Sequence, residues 1–175
     1  MRWICLFAGF LLITLAGCAS SGVVKNASPI STGMPVSLDF ILVETSSSVV
    51  DSEAERSLLN DQIVTGLRET QLFDNVSENS ADTGSGNGMK VSLDIKKIKK
   101  VSDTARIWVG ALAGRARILV QVTVTDSKSG NQIEAFSAEG ESGGTAKSGT
   151  TDQAIQRAAE QVVAEIVKIS RQTNQ

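Results

Sequence analysis

The sequence predicts an α+β fold, a mainly antiparallel sheet of about four to five strands with two helices packed on one face. Two observations support this prediction. Several segments alternate apolar and polar residues at period 2, as half-buried strands do, and two segments place apolar residues at helical spacing. Most strand segments lie between the two helical ones, an order that favours helices gathered on one face of an antiparallel sheet.

Residues 1–17 have the layout of a secretory signal peptide, with Arg2 before an apolar stretch that is too short for a membrane-spanning helix. The boundary Leu15-Ala16-Gly17-Cys18 resembles the lipobox of bacterial lipoproteins. That resemblance implies cleavage before Cys18 and acylation of this cysteine, which anchors the chain in a membrane. Ala19, in place of an aspartate retention signal, implies the outer membrane. The alternative is an ordinary cleaved signal peptide.

Residues 18–35 are expected to form the lipidated N-terminus and a flexible tether, because they are small, polar and interrupted by prolines. Residues 36–175 then form a single periplasmic α+β domain. Its first strand covers Val36–Val43, where alternate residues are apolar. Its first helix begins with the capping-box pattern Ser52-Glu53-Ala54-Glu55 and carries an apolar stripe of Leu58, Leu59, Ile63 and Leu67.

The middle of the chain contains interrupted strands. Gln71–Val76 is either a short second strand or a loop, and the polar residues 77–88 predict a surface loop. Met89–Ile95 alternates strictly, but its last isoleucine and Ile98 cannot share a face at period 2. A bulge is therefore expected at Lys96-Lys97.

The longest strand has inward-facing apolar residues at alternate positions from Ala116 to Val124. Asp126–Asn131 predicts a hairpin connection with Gly130 in the left-handed region, and Gln132–Glu141 returns as the antiparallel partner. After a loop at 142–149, Thr150-Thr151-Asp152-Gln153 is a second capping box. The final helix presents one broad apolar face, which consists of Ile155, Ala158, Ala159, Val162, Val163, Ile166 and Ile169.

The composition argues against enzyme chemistry. The chain has no histidine and no tyrosine, and its two cysteines are the signal-peptide Cys5 and the lipidated Cys18. The usual general base, the commonest zinc ligand and the thiol nucleophile are therefore missing from the processed chain. We expect no catalytic residue, no metal site and no cofactor. The 16 basic and 19 acidic residues that remain without Arg2 give no sign of nucleic-acid binding.

Charge is distributed unevenly along the chain. From Asp51 to Asp82 there are eight acidic and two basic residues, a net of −6, whereas Met89 to Arg117 has eight basic and two acidic residues, a net of +6. One interpretation is a face for an anionic partner, such as lipid headgroups or glycan. The other, which the sequence favours, is that lysines protect an exposed strand edge and that the two stretches partly neutralise each other.

The uncharged run between Arg106 and Arg115 contains Gly110-Ala-Leu-Ala-Gly114, formally a membrane-helix motif. The two arginines enclose only eight residues, too few to span a membrane. A strand rather than a helix N-terminus follows, which excludes a phosphate cradle. We expect a glycine-containing turn. Trp108 is either packed on the core or exposed, and together with Arg106, Arg115 and Arg117 it is the candidate interaction site.

The segment Ala113-Gly-Arg-Ala-Arg through Asp126, the Ser129-Gly130 turn, the strand ending near Gly140 and the alanine-rich final helix resemble a family of uncharacterised bacterial lipoproteins defined by a domain of unknown function. The resemblance supplies no catalytic residues, and only Cys18 corresponds to a position of known chemical role. The element order is also similar to small α+β domains of envelope lipoproteins, such as the curli-secretion lipoprotein and the N-terminal domain of the Tol-system periplasmic protein. That similarity implies fold rather than activity.

These observations predict a non-enzymatic outer-membrane lipoprotein, anchored through Cys18, whose periplasmic domain binds an envelope protein as an accessory to envelope assembly, transport or maintenance. The alternative is a periplasmic module that binds a small molecule, glycan or lipid through the Trp108 region and the nearby arginines. A weak hydrolase is a third hypothesis.

Overall fold

Strands and helices occur in the predicted order. The computed structural model describes residues 23–25, 39–78, 87–101, 114–143 and 149–173, without the side chains of 23–25 and 172–173. Within these residues the elements are β1 (Val23–Lys25), β2 (Phe40–Ser47), α1 (Glu53–Glu69), β3 (Asn75–Ser77), β4 (Gly88–Lys99), β5 (Arg117–Asp126), β6 (Gln132–Glu141) and α2 (Thr151–Thr173). The α+β prediction is confirmed.

The strands form one sheet in the order β1-β6-β5-β4-β2-β3. The pairs β1–β6, β6–β5 and β5–β4 are antiparallel, whereas β2 is parallel to both β4 and β3. The sheet is mainly antiparallel, as predicted. The parallel β2–β3 pair follows from α1, because a crossover connection returns the chain to the same end of the sheet.

The short strand β1 lies inside the segment that was expected to be a tether. It pairs with the outer edge of β6, with Val23 opposite Ala138 and Lys25 opposite Phe136. Two consecutive valines favour extended backbone, and the edge of β6 offers backbone N–H and C=O groups to pair with. The tether prediction did not anticipate this pairing, which brings the described sheet to six strands.

Both helices pack on one face of the sheet. The apolar residues predicted for the inner faces of the helices are buried, except that Leu58 and Val163 lie at the margin of the core. Each fully buried aliphatic side chain contributes about 1.5–3 kcal/mol relative to exposure, so this interface dominates stability. The sheet residues in this core include Ile41, Val43, Met89, Val91, Leu93, Ile95, Ile118, Val120, Val122, Val124 and Phe136.

The two predicted capping boxes have different outcomes. Ser52 precedes α1, but its side chain makes no cap hydrogen bond and instead donates to the carbonyl of Val49 at 2.7 Å, so the first box is wrong. The Ser52 hydroxyl is therefore bonded within the tight turn that precedes the helix and is not available to cap it. At α2, Thr150 Oγ1 accepts from the backbone N–H of Gln153 at 3.2 Å, as predicted. The Gln153 side chain does not complete that box, because it accepts from the N–H of Gly143 at 2.9 Å.

The predicted bulge and hairpin are both confirmed. The β4–β5 register shifts between Ile95 and Lys97, after which Ile98 pairs with Ile118. The bulge returns Ile98 to the helix side of the sheet, where it packs against the core. In the β5–β6 hairpin, Gly130 has φ +73°, in the left-handed region that favours glycine.

The segment Gln71–Val76 ends in a short strand, which settles the choice between strand and loop. β3 begins at Asn75, and Phe73 and Val76 are buried. The predicted loops at 77–88 and 142–149 fall mostly outside the described residues.

Candidate functional site

Only part of the predicted interaction site lies within the described residues. Cys18, Arg106 and Trp108 lie outside them, whereas Arg115 and Arg117 stand at the start of β5. The structure brings both arginines to Glu141, the last residue of β6. They mark the end of the sheet at which β5 begins and β6 finishes.

Glu141 is held between two guanidinium groups. Arg115 Nη1 donates to Glu141 Oε1 at 2.8 Å, and Arg117 Nη2 lies 2.9 Å from Glu141 Oε2. Arg117 and Glu141 are directly opposite each other in the β5–β6 ladder. The carboxylate side chain is 8% exposed, whereas the two arginine side chains are 52% and 55% exposed. The acid is therefore nearly buried, and the bases reach solvent.

The electrostatics of Glu141 suit a structural ion pair. The hydrogen bond from Arg115, together with the positive charge of Arg117, holds the pKa of this carboxyl below its ordinary value despite burial. A carboxylate stabilised in this way is a poor general base, because it binds a proton weakly at neutral pH.

Hydrogen bonds also hold the backbone around Glu141. Arg157 of α2 donates to the carbonyl of Glu141. Next to it, the buried Ser142 Oγ accepts from the backbone N–H of Ala116 at 2.9 Å, and the N–H of Ser142 donates to the carbonyl of Ala116 at the same distance. These bonds join the entry to β5, the exit from β6 and the first turns of α2.

Ser142 also lies in a short motif that was not identified from the sequence. Gly140-Glu141-Ser142-Gly143-Gly144 fits the Gly-x-Ser-x-Gly pattern of serine hydrolases. In those enzymes the serine is exposed on a sharp strand-to-helix turn beside a histidine base. Ser142 has no exposed surface, its hydroxyl accepts a backbone N–H, and the chain has no histidine. Ser142 is therefore a buried residue that holds the backbone of Ala116, and it does not occupy the exposed position of a serine nucleophile.

The basic stretch is only partly neutralised within the fold. Lys90 pairs with Glu44 and Lys96 with Asp94, and both of these acids lie outside the acidic stretch 51–82. Of the ion pairs that the described residues form, only Lys100–Glu55 joins the acidic stretch to the basic one, as predicted. The edge-protection interpretation is wrong, because β4 lies between β2 and β5 in the interior of the sheet.

Lys97 and Lys99 differ from the other lysines of β4. They alternate with the inward Ile98 after the bulge, so they lie on the far face of the sheet, opposite α1 and α2. Lys99 is directly opposite Arg117, and both lysines are exposed. Among the ion pairs of the described residues, none includes either lysine.

The described residues contain neither a metal-ligand cluster nor a helix that could span a membrane. They contain no group of three or more acidic, histidine or cysteine side chains that is placed to hold a metal ion. No helix among them is long and apolar enough to cross a membrane.

Solved structures with a similar fold include the PelC dodecamer from Paraburkholderia phytofirmans, with a TM-score of 0.57, 12% identity, and coverage of 82% of this chain and 96% of that one. Protein XCC0632 from Xanthomonas campestris is similar with a TM-score of 0.52 and 11% identity, over 85% of this chain and 94% of that one. At such identities the likeness concerns the fold alone.

The family comparison agrees with the predicted resemblance to a domain of unknown function. No curated protein matches the chain. A family model, described as a domain of unknown function (DUF4410), matches residues 24–146, which include all of β2 to β6 and end before α2. Since this match covers more than half of the sequence, the chain belongs to the DUF4410 family.

Proposed function

We propose that this protein is an outer-membrane lipoprotein whose periplasmic domain is a non-enzymatic interaction module, an accessory to envelope assembly, transport or maintenance. The observation that carries the proposal is the lipobox-like boundary Leu15-Ala16-Gly17-Cys18. Acylation of Cys18 with several chains gives durable anchoring, which a single acyl chain does not.

The use of polar groups in the domain supports a role without catalysis. The nearly buried Glu141 is neutralised by two arginines, and the buried hydroxyls of Ser142 and Ser52 bond to backbone groups. Each of these groups stabilises a junction between secondary-structure elements. An enzyme instead holds a nucleophile or base with an unsatisfied bonding capacity beside a substrate site.

The far face of the sheet supports an interaction role. Its central positions are polar, with Gln121 of β5 opposite Asp94 of β4 and Ser137 of β6. A structure of similar fold is described as a dodecamer. A second copy of this chain is therefore the first partner to examine, followed by other envelope proteins.

The anchoring claim is tested by Cys18→Ser. We expect this variant to remain unprocessed or to be released from the membrane, while the wild type fractionates with the outer membrane. Labelling with a radioactive or clickable fatty acid should mark the wild type only. A processed Cys18→Ser protein that stays attached to the membrane would contradict the proposal.

The interaction claim is tested by cross-linking in intact envelopes. We expect the wild type to yield a reproducible adduct with itself or with one envelope protein, and Trp108→Ala to reduce the yield. Lys128→Ala, in the hairpin that joins β5 to β6, is the control and should leave the yield unchanged. If the wild type gives no adduct, the interaction module is refuted.

The second candidate function is binding of a small anionic molecule, glycan or lipid. It is favoured by the half-exposed guanidinium groups of Arg115 and Arg117, which keep unused N–H donors beside their bonds to Glu141. A ligand-dependent rise in melting temperature that is lost in Arg117→Gln would support it.

A further inference from the structure

The register of β1 shows which end of the sheet lies nearest to the predicted anchor. Because β1 is antiparallel to β6, its first residue, Val23, lies opposite Ala138, three residues before Glu141, and its last, Lys25, lies opposite Phe136. Cys18 is five residues before Val23, so its Cα lies within about 18 Å of that of Val23. The hairpin residue Asn131, at the other end of β6, is about 23 Å from the level of Ala138. A chain of this length is long enough to reach the Glu141 end of the sheet and too short to reach the hairpin end.

Four cationic side chains lie at that same end. Lys97, Lys99, Arg115 and Arg117, here called the basic end, are placed there by the strand register and by the bonds to Glu141. All four are exposed residues. An acylated Cys18, five residues before β1, would hold this cationic surface close to the membrane.

No ion pair in the part of the chain that the structure describes accounts for the charges of Lys97 and Lys99. Lys99 is directly opposite Arg117, and like charges in that position destabilise a sheet. The bulge at Lys96 is what turns Lys97 and Lys99 onto the far face, and neither takes part in an ion pair within the described residues. Glu141 pairs with Arg117 but, among the described ion pairs, with neither lysine, so an external anion would offset the remaining repulsion.

Acidic residues lie on both faces of the sheet near this end. The far-face acids are Glu141, the exposed Glu139 and Asp94, of which Glu141 is paired with two arginines and Asp94 with Lys96. Asp51, Glu53 and Glu55 lie where α1 begins, and the two glutamates are paired, Glu53 with Arg56 and Glu55 with Lys100. The far-face side of this end is therefore cationic.

We propose that the basic end binds the anionic phospholipid headgroups of the membrane that holds the lipid anchor. This contact rests on the proposed acylation of Cys18 for its location, and it orients the domain with its β5–β6 hairpin pointing away from the membrane. The hairpin is about 30 Å from Arg117 along β5. The rest of the far face then extends away from the membrane surface, where partners can reach it.

The test uses the processed chain from residue 18 onward with Cys18→Ser, which keeps every described residue and has no acyl group. Binding is measured by co-sedimentation with vesicles of phosphatidylcholine alone or mixed with phosphatidylglycerol, at low and at moderate salt. We expect binding to the mixed vesicles only, weakened by salt. Each basic residue near an anionic membrane strengthens binding by about five-fold.

The decisive comparison is between two double charge reversals. Lys97→Glu with Lys99→Glu should weaken binding to the mixed vesicles by about ten-fold or more. The control, Lys128→Glu with Arg171→Glu, makes the same change in net charge at the hairpin and at the last turn of α2. It should bind within about two-fold of the unchanged chain. Equal thermal unfolding of both variants verifies that the fold is kept.

Several outcomes would overturn the proposal. Equal weakening in both double variants would show that only net charge matters, and equal binding to neutral vesicles would show that headgroup charge does not. Complete competition by soluble glycerophosphate would assign the cations to a free phosphate ligand. Because the tested chain has no acyl group, these outcomes are independent of whether Cys18 is lipidated, which the fractionation of the full chain decides.

Discussion

Replacement of Gly140 tests how closely α2 packs on the sheet. A Cβ atom added at Gly140 would lie 1.9 Å from the carbonyl oxygen of Ala154 and 2.8 Å from the backbone nitrogen of Ala158. Ordinary contact starts at 3.4 Å, so α2 would have to withdraw by about 1.5 Å near these residues. Both atoms belong to the helix backbone, and no side-chain rotation can relieve the overlap.

The expected cost of Gly140→Ala is about 3 kcal/mol of unfolding free energy, in the upper part of the range for overpacked sites. That is a large share of the 5–15 kcal/mol that is typical of a domain. The gain from replacing glycine within a strand, about 0.5–1 kcal/mol, does not offset it. The measurement is urea unfolding, followed by circular dichroism and extrapolated linearly.

Two other glycines supply matched controls. At Gly66 the added atom would meet Val163 Cγ2 at 3.0 Å, a side-chain atom that can move. Gly66→Ala should therefore be neutral or stabilising by up to about 1 kcal/mol, as in a helix interior. At Gly130 no atom lies within 4 Å, but φ is +73°, so Gly130→Ala should cost about 1–2 kcal/mol. The reasoning is refuted if Gly140→Ala costs less than Gly130→Ala.

Two further predictions concern the junction at Glu141. Glu141→Gln should lower the unfolding free energy by about 1–2 kcal/mol at neutral pH. Because Arg115 lowers the pKa of Glu141, the carboxylate's stabilisation is complete above its unfolded pKa of about 4.3 and is lost as pH falls through the folded value. The gap between wild type and variant in urea unfolding should therefore begin to narrow below about pH 4.3 and close once the pH is below the folded pKa of Glu141, and a constant gap would contradict the ion pair. Ser142→Ala should cost about 1–3 kcal/mol because the N–H of Ala116 loses its buried acceptor, whereas Ser127→Ala, in the exposed hairpin, should leave the melting temperature unchanged.

Local patterning explains most of the successful predictions. The bulge at Lys96 was predictable because Ile95 and Ile98 must both reach the core, and a strict period of 2 cannot place them there. The hairpin followed from Gly130 between two alternating segments. Such features depend on residues a few positions apart, whose side-chain directions are set by the backbone.

Side-chain partners were less predictable than element positions. Ser52 fits a capping box in sequence, yet its hydroxyl is taken by the preceding turn. The pairing of Glu141 with Arg115 and Arg117 was not predicted. Counting back from the hairpin places Gly140 opposite Arg117, and a register shift between Val124 and Thr125 moves Glu141 to that position. The buried hydroxyl of Ser142 depends on the entry to β5, which no local pattern shows.

The sequence by itself determined the kind of each long element, the inward faces of α1, α2 and β5, and the position of the bulge, because burial of one face imposes a period on the residues that form it. Only the tertiary structure decided that β2 lies beside β4, that β1 closes on β6, and that Lys97 and Lys99 stand at the same end as Arg115 and Arg117. Those outcomes depend on which strand edges meet. Every strand edge offers the same backbone N–H and C=O groups, so the choice rests on how the whole chain packs rather than on any local pattern.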